Sequence, residues 1–335
     1  MTNKRTALLG ILSAFGLIVL ILDSKTALGG AASGIELCLR TVVPALFPFI
    51  FLNGIITKTL SQSFSKLLSP VGKLFGAPSG AEINIVIGLL GGYPVGAQAV
   101  YQGYCAGCYK KDDAKRMLSF CNNPGPAFIF GMVGCLFDSI LIPWVIWSII
   151  ILCSLITAKL QPVYSTQVYR PVLSQSSSAL EVTLKAIAKI CGWVIIFRTY
   201  IAILQRWILW ILPTKIITMI MGFLELTNGC ISLSDYYDPA FCFCGVCAML
   251  SFGGCCVAMQ TVSIAGNLVD KTYLFSKLFQ MFLSVPLSLV AAMFLFQQLT
   301  NPFAILVAII CFFLALLIGL LLYKNNTGNR TENTI

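Results

Sequence analysis

The sequence predicts an all-α integral membrane protein of about seven transmembrane helices, with two re-entrant hairpins in an inverted repeat. Three observations carry this. Hydrophobic residues make up 58% of the 335-residue chain and charged residues 10%, far from the quarter charged of a soluble domain. The apolar residues come in runs long enough to cross a bilayer as helices. Two of those runs are interrupted by the same device, Gly91-Gly92-Tyr93-Pro94 and Gly253-Gly254-Cys255-Cys256. Shifted by 162 positions, Gly91, Gly92, Val95, Gln98 and Val100 fall on Gly253, Gly254, Val257, Gln260 and Val262.

Taken in order, Lys4 and Arg5 precede an apolar run at 7–22. It reads as an N-terminal span within 1–33; the small residues at 27–32 also fit a cleaved leader. The next span, 34–57, opens with Glu36, Leu39 and Arg40, and 179–204 opens with Glu181, Leu184 and Lys185. In each, acid and base stand at i,i+4 with the acid first, the favourable order on a helix. This second match, at an offset of 145, points to an internal repeat. Residues 61–80, with Lys66, Pro70, Lys73 and Pro78, read as an interfacial segment. Residues 83–105, broken by Gly91-Gly92 and Pro94, read as the first hairpin, 114–137 as a span interrupted at Asn122-Asn123-Pro124-Gly125-Pro126, and 140–158 as an ordinary span.

The first repeat is thus 34–158, followed by a cytoplasmic linker at 159–178. The second, 179–323, has an interfacial stretch at 207–230, a hairpin at 239–266 and spans at 272–298 and 303–323. A polar tail covers 324–335. Three full crossings per repeat start the second copy from the opposite side, which inverts it. The larger share of Lys and Arg then falls on the N-terminal side, with Arg116 counted inside and Lys277 outside. This predicts a cytoplasmic N-terminus.

The net charge of +10 is spread over short loops and forms no patch interleaved with aromatics, so nucleic acid is excluded as a partner. Of the fourteen cysteines, most stand in apolar runs, where a thiol acts as a small hydrophobe. Cys105-x-x-Cys108 and Cys242-x-Cys244-x-x-Cys247 leave a redox or zinc role open, without the second ligand arm that zinc usually takes. Histidine is absent, as are a Walker-type phosphate loop and a Gly-x-Ser-x-Gly elbow. The chain reads as no enzyme, with no catalytic residue, cofactor or metal.

A helix broken inside a bilayer leaves N–H and C=O groups that must be buried in protein or line a cavity. Its ends offer amides to an anion and carbonyls to a cation, and glycine lets a ligand come close. The candidate substrate-binding residues are therefore Gly91, Gly92, Tyr93, Gln98, Asn122, Asn123, Gly253, Gly254 and Gln260. The amides also fit interhelical hydrogen bonds, and the glycines close packing. Candidate coupling or gating residues are Glu225, Asn228 and Arg198. Glu225 reads equally as an interfacial helix cap, and Arg198 as a paired or snorkelling residue.

The segments Gly92 to Ala97, Phe120 to Pro126, Leu224-Glu225-Leu226-Thr227-Asn228-Gly229 and Ser251 to Gly254 together resemble the nucleoside-recognition (Gate) domain membrane proteins, in particular their YlbJ-type sporulation members. The resemblance covers about residues 34 to 300. It implies a fold similar to concentrative nucleoside transporters and a role in endospore formation, where such members are associated with movement of dipicolinic acid out of the mother cell. Cys255-Cys256 and the brief linker depart from that pattern. The expectation is a secondary-type transporter of a small polar or anionic solute, dipicolinate-like or a nucleoside, in the cell membrane, with the forespore membrane as a candidate location. Lipid is the expected neighbour, and a homo-oligomer is left open. The alternative is a non-transporting membrane scaffold needed for spore maturation.

Overall fold

The structure is a computed structural model that describes residues 2–60, 65–78, 80–161, 178–296 and 302–332. Every element among the described residues is helical. In chain order, α1 (Thr2–Leu22) gives way at Asp23 to α2 (Ser24–Leu37), which continues through a wider π-helical turn at Cys38–Val42 into α3 (Val43–Leu60). Then come α4 (Ser65–Phe75), α5 (Glu82–Gly91), α6 (Val95–Cys105) and α7 (Lys111–Cys121). A single turn, α8 (Pro126–Phe128), leads through π and 3-10 turns to Leu136, and α9 (Leu141–Leu160) closes the first half. The second half holds α10 (Ala179–Trp207), α11 (Thr214–Leu224), α12 (Leu226–Tyr236), α13 (Pro239–Phe252), α14 (Gly254–Ala265), α15 (Lys271–Leu295) and α16 (Pro302–Glu332).

Among the described residues six stretches are long and apolar enough to cross a membrane: Ser24–Leu52, Leu141–Leu160, Ala179–Trp207, Pro239–Leu268, Lys271–Leu295 and Pro302–Tyr323. The protein is an all-α, multi-pass membrane protein. The set differs from the expected crossings in four places. Of the expected N-terminal span at 7–22, only the shorter apolar helix Ser13–Leu22 is found. The stretch 114–137 is no span: α7 carries Asp112, Asp113, Lys115 and Arg116 and stops at Cys121. The stretch 239–266, expected as a hairpin, is long enough to cross, although it breaks at Gly253. The second span starts at Ser24, ahead of the expected boundary at residue 34. The linker residues 162–177 and the last three residues of the tail lie outside the described ones; the rest of the tail, to Glu332, continues α16.

Element order recurs at the spacing read from the glycines. Moved by 162 positions, α4 falls on 227–237 beside α12, α6 on 257–267 beside α14, and α9 on 303–322 inside α16. The inserted α11 has no counterpart. Both acid-first pairs form, Arg40 Nε with Glu36 Oε1 at 3.2 Å and Lys185 Nζ with Glu181 Oε1 at 2.5 Å. Their side chains are at least half exposed, so each contributes little.

Two seams hold the bundle. In one, α2 and α10 lie together because Gly30 and Gly34 bring their backbones close; a methyl group on either would stand 2.9 Å from the Cα of Thr199 or Ile195. Small residues at such a crossing let helices pack without a hydrophobic drive. In the other, α15 runs between α7, α9, α13 and α16, and Lys115 pairs with Asp270 at 2.9 Å where α7 and α15 begin. Arg116, expected in an inner loop, is buried. Its guanidinium donates to the carbonyls of Phe75 and Gly76 at the end of α4, and to those of Ala158 and Gln161 at the end of α9. Helix C-termini offer those unpaired carbonyls and a negative field, so the cation is well placed there.

Candidate functional site

The helix breaks gather in one region. Gly92, at φ 73° and ψ −175°, occupies a backbone region essentially closed to other residues. Its backbone lies directly against the Gly125 amide. The carbonyl of Cys121 presses on Gly88 and Gly96 in the same way, and α5 and α6 pack on each other as arms of a hairpin. The Tyr93–Pro94 peptide is cis. The tip of this hairpin is thus locked into the break after α7, where Asn122 to Gly125 leave the helix.

The second break is built differently. Gly253 takes the left-handed conformation at φ 87° and Gly254 has φ 76°, yet α13 and α14 scarcely touch across it. α13 packs on α9, α12 and α15, α14 packs on α6 and α10, and α11 touches both. A methyl group on Gly253 would stand 3.7 Å from Tyr93 Cε1, so the two glycine breaks face each other across the Tyr93 ring. A further break falls at Glu225, between α11 and α12. Glu225 is 2% exposed, and its carboxylate accepts the backbone N–H groups of Thr227 (3.0 Å) and Asn228 (2.9 Å), capping α12. The carboxylate and the positive helix end stabilise each other there.

The breaks at Gly91, Gly125 and Glu225 line a cavity of about 50 Å³, and the Gly253-Gly254 break reaches its wall only through Cys256, Val257 and Gln260 of the helix that follows. Its polar walls include Gly91, Tyr93, Gly125, Glu225 and Gln260, and its apolar walls come from α3, α10 and α14. Glu225 is the one charged side chain in that lining, and among the described residues no Lys or Arg forms an ion pair with it. Gln260 is buried and donates to Cys256 Sγ at 3.5 Å. Three buried polar atoms beside the breaks have no hydrogen-bond partner: Tyr93 Oη, Asn122 Oδ1 and Ser251 Oγ. Orphaned polar atoms of this kind are rare, and of the three residues only Tyr93 lines the cavity.

The structure brings together Gly91, Gly92, Tyr93, Gly253, Gly254, Gln260 and Glu225, but not all of the expected site residues. Gln98 is only half-buried and lies outside the cavity wall, so the two matched glutamines are not equivalent. Asn122 and Asn123 are buried in a structural network. Asn122 Nδ2 donates to Thr261 Oγ1 (2.9 Å) and Tyr273 Oη (3.0 Å), and Asn123 Nδ2 to the Phe120 carbonyl (2.7 Å) and Ser154 Oγ (2.6 Å). Arg198 lies in a separate groove between α2 and α10, and its Nη1 donates to Asn228 Oδ1 at 2.6 Å. It reaches Glu225 only through Asn228.

The sequence reading missed the most buried basic side chain near the breaks. Lys277, counted as an outer-loop charge, is 3% exposed and is held by Asn122, Asn123 and Gln280. Around it Gln280 donates to the Ser119 carbonyl, and Gln161 to the hydroxyls of Ser119 and Ser276. The available signal was a lysine and a glutamine three residues apart inside an apolar run.

A larger cavity, about 370 Å³, lies among α13, α15 and α16 and contains none of the break residues; apart from Asp238 its walls are almost wholly apolar. That character suits lipid chains better than a polar solute. Among the described residues no three Cys, Asp or Glu side chains gather as a metal site would need. Burial pushes the Cys108 thiol up from its ordinary range, while Cys105 is exposed. Comparison with protein-family models, curated proteins and solved structures found no match.

Proposed function

We propose that the protein is a secondary-type transporter that passes a small polar solute through the region where its helix breaks meet. The observation that carries this reading is the convergence of Gly91, Tyr93, Gly125 and Glu225, with Gln260 of the helix after Gly253-Gly254, on one cavity, with Gly253 beside the Tyr93 ring. Broken helices meeting inside a bundle are the usual construction of solute and ion sites in such carriers. The recurrence of element order at 162 positions supports a repeated plan; an inverted arrangement with a cytoplasmic N-terminus is part of the proposal.

Sites for drug-sized ligands occupy ~300 Å³ or more, so a solute enters only when the segments around the 50 Å³ cavity part. The bend at Gly253, whose two halves belong to largely different neighbours, supports movement there. The charge of the wall sharpens the substrate class. Glu225 and Gln260 suit a solute that offers N–H and O–H donors, as a nucleoside does. A dicarboxylate such as dipicolinate, which the resemblance to YlbJ-type proteins implies, meets a carboxylate in that wall and would travel with a proton or a cation. The same resemblance supports a role in sporulation, with the forespore membrane as a candidate location. The proposal includes no chemical step on the solute.

The test is flux of radiolabelled uridine and dipicolinate into proteoliposomes holding wild type, Glu225→Gln or Gln260→Ala. Flux of either solute by wild type, lowered tenfold or more in both variants, is the expected result. Undiminished flux in both variants puts the path elsewhere. Absence of any flux from folded wild type turns the reading to the scaffold.

A further inference from the structure

Lys277 stands where an ordinary carrier would hold a free cation. Its Nζ donates to the Asn122 carbonyl at 2.5 Å, to Asn123 Oδ1 at 2.6 Å and to Gln280 Oε1 at 3.1 Å. All three acceptors are neutral, and two belong to the break after α7. Among the described residues no carboxylate pairs with the ammonium. The titratable groups that face it are the thiols of Cys121 on α7 and Cys153 on α9, and the Tyr273 phenol on its own helix, whose ring centroid lies 5.9 Å away. Arg116, on the α7 face one turn before Phe120, is engaged by the carbonyls of α4 and α9. Helices α13 and α16, also packed on α15, bring no acid within ion-pair reach.

A buried ammonium without a counter-ion is expensive unless its protons are all bonded. Here three donors meet three oxygens. Backbone and amide oxygens at an unwound segment are also the donor set that monovalent ions take in carriers. Loss of one proton leaves an amine with two donors and a lone pair, so one oxygen loses its donor and faces a lone pair instead. The acceptor Asn122 already carries an orphaned Oδ1 and is joined to α14 through Thr261. Release at Lys277 therefore loosens the contact between the α7 break and the helix that carries Gln260.

We propose that Lys277 is a tethered cation: its ammonium fills a three-oxygen site at the α7–α8 break in place of a free monovalent ion, and its protonation, rather than sodium binding, closes that break. The coupling part rests on the transporter reading above. In each cycle Nζ takes one proton from water on one side and gives it to water on the other.

Three measurements test this. Wild type should melt at the same temperature in sodium chloride and in choline chloride, and a rise specific to sodium overturns the proposal. Lys277→Ala, where it elutes as wild type does, opens the three-oxygen site to a free cation. Methylammonium at ten times its Kd should then raise its melting temperature by about 2–4 °C, with no rise from tetramethylammonium and none in wild type. A variant indifferent to methylammonium overturns the proposal. In proteoliposomes loaded with a pH-sensitive dye, uridine or dipicolinate should shift internal pH without sodium, and a flux that needs sodium overturns the coupling. If wild type moves neither solute, the transporter reading fails while the two melting measurements still decide the tethered cation.

Discussion

The two glycine breaks share a sequence device and differ in everything the device is used for. At Gly91-Gly92 the chain folds back, α5 lies on α6, and the tip is wedged backbone to backbone into the break at Gly125. At Gly253-Gly254 the chain only bends, and the half-helices join largely different neighbours, with α11 in contact with both. The difference teaches that a repeated motif fixes local backbone conformation, while the partner across from it decides whether the place is rigid. Gly125 meets Gly92, whereas Gly253 meets a tyrosine ring and Gly254 sees carbonyls no nearer than 3.3 Å to an added methyl.

Substitution at the glycines should separate the two most strongly. Gly92→Ala adds a methyl where the Gly125 amide lies and demands a glycine-only conformation, so a cost of ~3 kcal/mol or more is expected, enough to prevent recovery of folded protein on size-exclusion chromatography. Gly253→Ala has room for its methyl and costs about 1–2 kcal/mol for the left-handed backbone. It should be recovered folded with a lower melting temperature. Equal yields of the two variants would break the comparison.

A smaller effect separates the matched glutamines. Gln260→Ala should cut solute flux tenfold or more, because Gln260 is in the cavity wall, and Gln98→Ala should cut it less than threefold. Similar losses would mean that the repeats serve the solute alike. The smallest effect is expected at the thiols. Cys105→Ser with Cys108→Ser should leave flux unchanged. In wild type an alkylating reagent at pH 7 should modify exposed Cys105 before Cys108, whose burial keeps it protonated.

What could be read in the sequence was what local chemistry decides. Paired glycines, the acid at Glu225 before Thr227 and Asn228, and the acid-first pairs at Glu36 and Glu181 each mark a conformation that needs no distant partner. The class of the protein was legible for the same reason, since hydropathy is a local sum. Lys277 was misplaced because a lysine near the start of an apolar run looks like a loop charge. Only the crossing of α7 over α15, residues some 150 positions apart, buries it. The stretch at 114–137 misled in the opposite direction: its average apolarity hid a charged helix followed by a break. Gln98 and Gln260 match in register and differ in surroundings, which no offset reveals.

The carbonyl clamp of Arg116 has a mechanical consequence. One guanidinium holds the ends of α4 and α9 while its own stem belongs to α7, so these three helices have a common fixed point and move as a single part. A lysine, with a point charge and three donors, could not grip both ends. With the α5–α6 tip wedged into that same part, the first half of the chain has few internal degrees of freedom left. On the transporter reading, relative motion falls at the joints at Glu225 and Gly253, which makes a fixed frame with one jointed arm despite the symmetry of the sequence.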